Sequence, residues 1–192
     1  MTLENLKIGF GITGSFCTFS KIPSLIESLI NEGANVLPIF SYNSQNFDTR
    51  FGVASEFMDK IETLTGNKII KTIPEAEPIG PKNLIDLMLI FPCTGNTLSK
   101  LANAITDTPV LMATKSHLRN NKPVVIGIST NDGLGNSAKN IGTLLNMKNV
   151  FFIPFGQDDP VKKANSLVCK PEYAIDTIKK ALEYKQLQPL LV

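Results

Sequence analysis

A chain of 192 residues, 43% of them hydrophobic, is long enough to bury one sizeable core and reads as a single domain over residues 1–192. Nineteen basic against 17 acidic residues give a formal charge of +2, spread without a basic block or a basic helix interleaved with aromatics, so no nucleic-acid partner is expected. Cys17, Cys93 and Cys169 are odd in number and lack Cys-x-x-Cys spacing, which argues against a disulfide framework and against a metal site. With no export signal in MTLENLKIGF and no apolar run near the roughly 20 residues of a membrane span, a cytoplasmic chain without membrane contact is expected.

KIGFGI (7–12) is the first strand. After it, Phe16, Phe19, Ile22, Leu25, Ile26, Leu29 and Ile30 recur at spacings of three and four, as an amphipathic helix requires, and Gly33 ends the run. Pro23 either kinks this helix or marks a start near Ser20. NVLPIF (35–40) is the second strand, and Pro38 favours a position where its missing N–H does no harm. A helix over roughly Ala54 to Thr65 is stopped by Gly66-Asn67. Pro74, Pro78 and Pro81 predict an extended connector from Ile73 to Pro81, too short to separate domains.

LIDLMLIF (84–91), VVIGI (124–128) and VFFI (150–153) are nearly continuous apolar runs, the pattern of strands buried on both faces of a parallel sheet. Helices are predicted at about Asn96 to Ile105, Pro109 to Arg119 and Asn136 to Leu145, with a last one over Glu172 to Tyr184 after Pro171. The apolar tail QLQPLLV is expected to pack against the core or a neighbouring subunit.

Five polar or Gly-rich loops follow apolar runs: Thr13 to Thr18, Ser41 to Asn46, Cys93 to Thr97, Ser129 to Ser137 and Gly156 to Pro160. In an open α/β sheet the ligand sits beyond the carboxyl ends of the strands, where these loops fall. Gly9 to Gly14 spells G-x-G-x-x-G, but an NAD site also needs an acidic residue at the end of the second strand. Ser41 stands there, with Asp48 and Arg50 badly placed. A mononucleotide fits better: Gly11 and Gly14 turn tightly, Thr13, Ser15 and Thr18 offer hydroxyls to one phosphate, and Ser41 reaches the same phosphate. The plain rival is a Gly-rich turn with no ligand.

Pro92-Cys93-Thr94-Gly95-Asn96-Thr97 opens a helix, and Asn96 and Thr97 suit either capping or ligand binding. Together with GITGS, this hexapeptide resembles the P-A-S-A-N-T motif of the flavoprotein family that includes flavin-containing cysteine decarboxylases. Pro92, Asn96 and Thr97 match identically, with Cys93, Thr94 and Gly95 as small substitutes. The strings LTGNKIIKTIPEAEPIGPK, CTGNTLSKLANAITDTPVLMATKSHLRNNKPVVIGISTNDGLG and VFFIPFGQDDPVKKANSLV, over half the chain, look like the dipicolinate synthase B-subunit branch of that family.

This resemblance implies an α/β, three-layer Rossmann-like (flavodoxin-type) fold, a parallel sheet with helices on both faces. It further implies FMN held by Gly11, Thr13, Gly14, Ser15, Ser41, Cys93, Thr94, Asn96 and Thr97. The expected assembly is a homo-oligomer working with a separate dipicolinate synthase A-subunit that binds the nicotinamide cofactor NADP, in the mother cell of a spore-forming bacterium. The implied reaction oxidises a dihydrodipicolinate-type precursor, a small dicarboxylate, to pyridine-2,6-dicarboxylate. The sequence departs from the decarboxylases in two places: no histidine lies between Phe47 and Leu64, and the segment after Pro109 reads VLMATK. Decarboxylation is therefore disfavoured, and the alternative is a non-redox scaffold that supports the active site of the A-subunit.

Removing a hydride and a proton from a dihydropyridine dicarboxylate calls for cations near its carboxylates. Lys115 and Arg119 are candidates, Arg119 for bidentate pairing, against the plainer reading of a solvated basic helix face. His117 is a candidate proton acceptor against the reading of a surface residue. Asp132, Asp158 and Asp159 stand at strand ends as acids, partner contacts or helix caps, and Asp159 before Pro160 reads as a cap. Cys17 and Cys93 read as small packing residues beside the ligand. No catalytic base is assigned beyond the candidates Lys115, His117, Arg119 and Asp132.

Overall fold

The computed structural model describes residues 2–192, an α/β chain that opens on a strand and closes on a helix. In chain order they are β1 (Lys7–Ile12), α1 (Ile22–Asn31), β2 (Asn35–Phe40), α2 (Tyr42–Asn46), α3 (Ala54–Thr65), α4 (Ile73–Ala76), β3 (Leu87–Cys93) and α5 (Gly95–Ala102). Then come α6 (Pro109–Leu118), β4 (Val124–Thr130), α7 (Ala138–Leu145), β5 (Val150–Phe152), β6 (Phe155–Asp159), β7 (Lys163–Cys169) and α8 (Ala174–Leu182). Five strands are parallel in the order β2-β1-β3-β4-β5, the flavodoxin-type arrangement. β3 is buried along its whole length and β4 along all but its last residue, because helices cover both faces; a strand with no solvent face has no use for polar alternation. α1 and α8 lie on one face, tied by the Lys179–Glu32 ion pair at 2.8 Å, while α5, α6 and α7 pack on the other.

Local signals account for most boundaries. Pro23 lies in the first turn of α1, after a short 3-10 segment from Phe16 to Lys21, where a missing N–H costs nothing. Gly66 ends α3 in the left-handed conformation (φ 66°), its N–H bonding to Glu62 O, a geometry that a Cβ disfavours. β2 is an outer strand. Its Phe40 N–H faces outward to Ile70 O, so the nitrogen of Pro38, two residues earlier, faces the same open edge and deprives no partner strand.

Two expectations need correction. Residues 73–81 are not extended: Thr72 caps α4 in a capping box with Glu75, and a 3-10 turn follows over Glu77–Ile79. Pro74 and Pro78 stand in first turns, where proline is favoured. Nor is the sheet purely parallel. Gly156 to Asp159, expected as a loop, belongs to β6, which pairs antiparallel with β7. β7 in turn joins the carboxyl end of β4 through Ser129–Val168 and Thr130–Leu167. This hairpin buries only Phe155, Leu167 and Cys169 among its large apolar positions, so it needs no continuous apolar run and leaves a weak sequence signal.

The tail packs on its own chain, with Phe155 N–H bonding to Leu190 O and Val192 N–H to Phe155 O. Before it, the Gln186 amide closes the outer edge of β5: Nε2 donates to Phe152 O (2.7 Å) and Oε1 accepts from Phe152 N–H (2.8 Å). Gln186→Ala removes the partner of both groups at once. We expect a loss of about 1–3 kcal/mol, read as a lower urea midpoint with an unchanged slope.

Candidate functional site

The loops after β1, β3 and β4 meet above the sheet and enclose a crevice of about 790 Å³. Beside it, the buried hydroxyl of Thr13 donates to Pro92 O (2.6 Å) and accepts from Thr94 N–H (3.1 Å), pinning the end of β1 to the end of β3. Above it, Ser15 Oγ lies 2.8 Å from Ser129 Oγ, and Thr18 Oγ1 lies 2.9 Å from the same atom. Three hydroxyls from two loops thus converge at one point, free to turn their protons toward an acceptor. On the far wall, Asp132 Oδ1 accepts from the hydroxyls of Thr130 and Ser137. A Cβ on Gly95 would lie 2.6–2.9 Å from these three polar atoms, so only glycine lets α5 start this close to the loop after β4.

A second cavity of about 240 Å³ opens across the ridge formed by Gly14, Thr94 and Asn96, which border both spaces. It is lined by Ser41, Thr97, Lys100, Asp107 and Thr108 among others. Several of its polar groups are already engaged. Ser41 caps α2, Thr94 accepts from Thr97 N–H (3.2 Å), Thr108 caps α6, and Lys100 pairs with Asp107 at 2.7 Å.

The structure thus splits the residues that the sequence grouped. Gly14, Thr94 and Asn96 border both cavities, Ser15 and Thr18 line the larger one, and Thr13, Ser41 and Thr97 line the smaller. Ser41 therefore does not share the Ser15–Thr18 cluster, because β2 opens onto the other side of the ridge. Gly11 and Cys93 line neither cavity: both are buried, and a Cβ on Gly11 would meet the side chains of Met88 and Val110. Burial pushes the Cys93 thiol well above its ordinary value and that of Cys169 up to about 12, so both are chemically quiet.

Of the candidate catalytic groups, Asp132 is in the crevice and three are not. α6 runs antiparallel to the strands, so its last turn, with Lys115, His117 and Arg119, reaches the amino end of the sheet. Lys21, Phe51, Thr130 and Lys163, not singled out from the sequence, line the crevice instead, with Ser129 and with Arg50, which the sequence reading set aside as badly placed. Ser129 and Thr130 fall at the end of the apolar run of β4, a usable signal. Lys163 arrives only because the β6–β7 hairpin folds back, and no local pattern marks it.

His117 is also not the surface residue that a polar helix suggests: only 1% of it is exposed, and its Nε2 donates to Pro123 O at 3.1 Å. Burial, with a smaller push from Lys122, outweighs that bond and the nearby Asp86, taking its pKa from an ordinary 6.5 down to about 4. The unfolded chain therefore binds a proton that the folded chain refuses. Stability from this group is complete above about pH 6.5 and falls toward pH 4, by about 3 kcal/mol in all. Thermal unfolding across that range should show the slope in the wild type and a flatter curve in His117→Gln.

A parallel sheet of this order with a polar crevice over its carboxyl ends defines a flavodoxin-type α/β architecture. The chain belongs to the Flavoprotein family, whose profile matches residues 1–186. Over 191 residues it is 55% identical to the dipicolinate synthase B-subunit of Bacillus subtilis (strain 168), an alignment spanning 100% of this chain and 96% of that protein. The crystal structure of the dipicolinate synthase B-subunit from Bacillus halodurans C superposes with a TM-score of 0.92 at 48% identity, covering 100% of this chain and 98% of the other. The FMN-dependent cysteine decarboxylase SpaF, at 18% identity and a TM-score of 0.68 over 94% of this chain and 97% of its own, shares the fold. Among the described residues no helix is long and apolar enough to cross a membrane.

Proposed function

We propose that this chain holds FMN at the Gly14–Thr94–Asn96 ridge and serves as one component of an enzyme that oxidises a dihydrodipicolinate-type precursor to pyridine-2,6-dicarboxylate. Its partner is the nicotinamide-binding A-subunit of dipicolinate synthase, carrying NADP, and the chain is a homo-oligomer in the cytoplasm of a sporulating mother cell. The observation that carries the reading is the ridge itself. Two polar cavities meet over a glycine and the Asn96 amide, at the end of the sheet where such folds take their ligands. Full-length similarity to proteins named as the B-subunit of dipicolinate synthase supports dipicolinate as the product.

The donor set suits a flavin mononucleotide: Ser15, Thr18 and Ser129 hydroxyls, the exposed Asn96 amide and Lys21, with Ser41 and Thr97 across the ridge. Bound FMN supplies a two-electron acceptor. Aromatising a dihydropyridine releases one hydride and one proton, and the chain's own part is to hold the ring and receive the proton. Asp132 is the crevice carboxylate without a lysine partner among the described residues, since Asp158 is paired with Lys163 at 2.6 Å. Its Oδ1 is engaged by two hydroxyls, which leaves Oδ2 for the proton. Decarboxylation has less support, because the single histidine is buried at the opposite end of the sheet.

One observation favours the scaffold alternative: Ser41, Thr94 and Thr97 already serve as helix caps or cap partners. A visible absorbance titration with FMN separates the two readings. A bound-flavin spectrum is expected, with affinity reduced about tenfold in Ser15→Ala and in Asn96→Ala, the worth of one good hydrogen bond each. No spectral change in the wild type, alone and mixed with the nicotinamide-binding partner, would remove the flavin and leave the scaffold.

A further inference from the structure

The crevice carries a second recognition element on its rim, built from the loop between α2 and α3. Thr49 N–H bonds to Gly52 O (3.0 Å) and Gly52 N–H to Thr49 O (3.1 Å), which folds residues 49–52 into a tight turn with Arg50 and Phe51 at its tip. The turn is anchored from behind: Thr49 Oγ1 accepts from Phe51 N–H (3.1 Å), and Asp48 Oδ1 accepts from Ala54 N–H (2.9 Å) at the start of α3. The tip faces the crevice, and Phe51 is half exposed there with the Arg50 guanidinium 4.9 Å from its ring centroid. A planar cation stacked over a half-exposed aromatic ring therefore stands in a fixed turn over the cavity.

The charges of the crevice leave this group available. Lys163 is neutralised by Asp158, whereas neither Arg50 nor Lys21 enters an ion pair among the described residues. The cations expected from the sequence to meet a dicarboxylate, Lys115 and Arg119, lie at the other end of the sheet. We infer that Arg50, with Phe51, is the substrate-positioning element of this crevice: the guanidinium, held over the Phe51 ring, pairs with one carboxylate of a planar pyridine-type dicarboxylate. Arginine suits the task because its fork matches a carboxylate in two hydrogen bonds, which an ammonium does not. This inference rests on the reading above that the substrate is a ring dicarboxylate.

The test is a calorimetric titration of pyridine-2,6-dicarboxylate into the full chain, with and without FMN, for the wild type, Arg50→Gln and Arg50→Lys. FMN affinity is measured in parallel by absorbance. Because Arg50 is an exposed turn residue, both variants are expected to keep the wild-type melting curve. Arg50→Gln should weaken dicarboxylate binding by about tenfold or more, with Arg50→Lys intermediate and FMN affinity unchanged within about twofold. A wild type that binds no dicarboxylate would overturn the inference, as would equal affinity in Arg50→Gln, or an FMN affinity that falls in step with it. A wild type that binds the dicarboxylate through Arg50 yet takes up no FMN would sustain the inference and sink the flavin reading instead.

Discussion

The hydroxyl of Thr13 is where the sheet and the site become one object. It bridges the carbonyl of Pro92 and the N–H of Thr94, so the point at which β1 stops being a strand is tied to the point at which β3 stops being one. The hydroxyl and the Pro92 carbonyl are both buried, so leaving that carbonyl unpaired costs more than the bond is worth in solution. The position of α5, the placement of Asn96 on the ridge and the separation of the two cavities all follow from that clamp. Asn96 is exposed but not adrift, since it lies two residues after an immobilised amide.

The two ends of the sheet have opposite characters, and the difference is electrostatic. At the carboxyl ends, neutral hydroxyls, glycine and exposed cations leave polar groups facing an open space. At the amino ends the polar groups are consumed internally. Asp86 accepts from Lys7 N–H (3.0 Å) and Lys122 Nζ (3.2 Å), bonds that overcome its burial and hold its carboxyl below the ordinary range. His117 is buried and held neutral nearby. A histidine so placed has its proton equilibrium spent on folding, and a lysine or arginine on the same helical turn faces solvent beside it. Identical residue types on the loops above the sheet have different consequences.

The β6–β7 hairpin changes what the crevice can hold. A purely parallel flavodoxin-type sheet would end at β5 and leave the carboxyl end of β4 open on one side. Here β7 pairs with Ser129 and Thr130 and brings Lys163, Ser166 and Leu167 to that side. The hairpin and the Thr49–Gly52 turn approach the crevice from opposite edges of the sheet and wall it at each end.

The apolar runs of β3, β4 and β5, the boundaries of α3 and the start of α6 at Pro109 were legible in the sequence because each rests on local physics: burial on both faces, a left-handed glycine, a nitrogen with no hydrogen to lose. The strand-end position of the crevice and the place of Gly14, Ser15, Thr94 and Asn96 on its walls were legible for the same reason, as loops directly following buried strands. What only the tertiary structure decided is which loops share a cavity and which charges reach it. Ser41 separates from Ser15 because β2 and β4 lie on opposite sides of the ridge, and Lys115, His117 and Arg119 leave the site because α6 runs back down the sheet. Arg50 and Lys163 enter it through a turn and a hairpin whose residues carry no periodicity. Periodicity and capping report on neighbours a few positions away, whereas a binding site is made by residues more than a hundred positions apart, as Ser15 and Ser129 are.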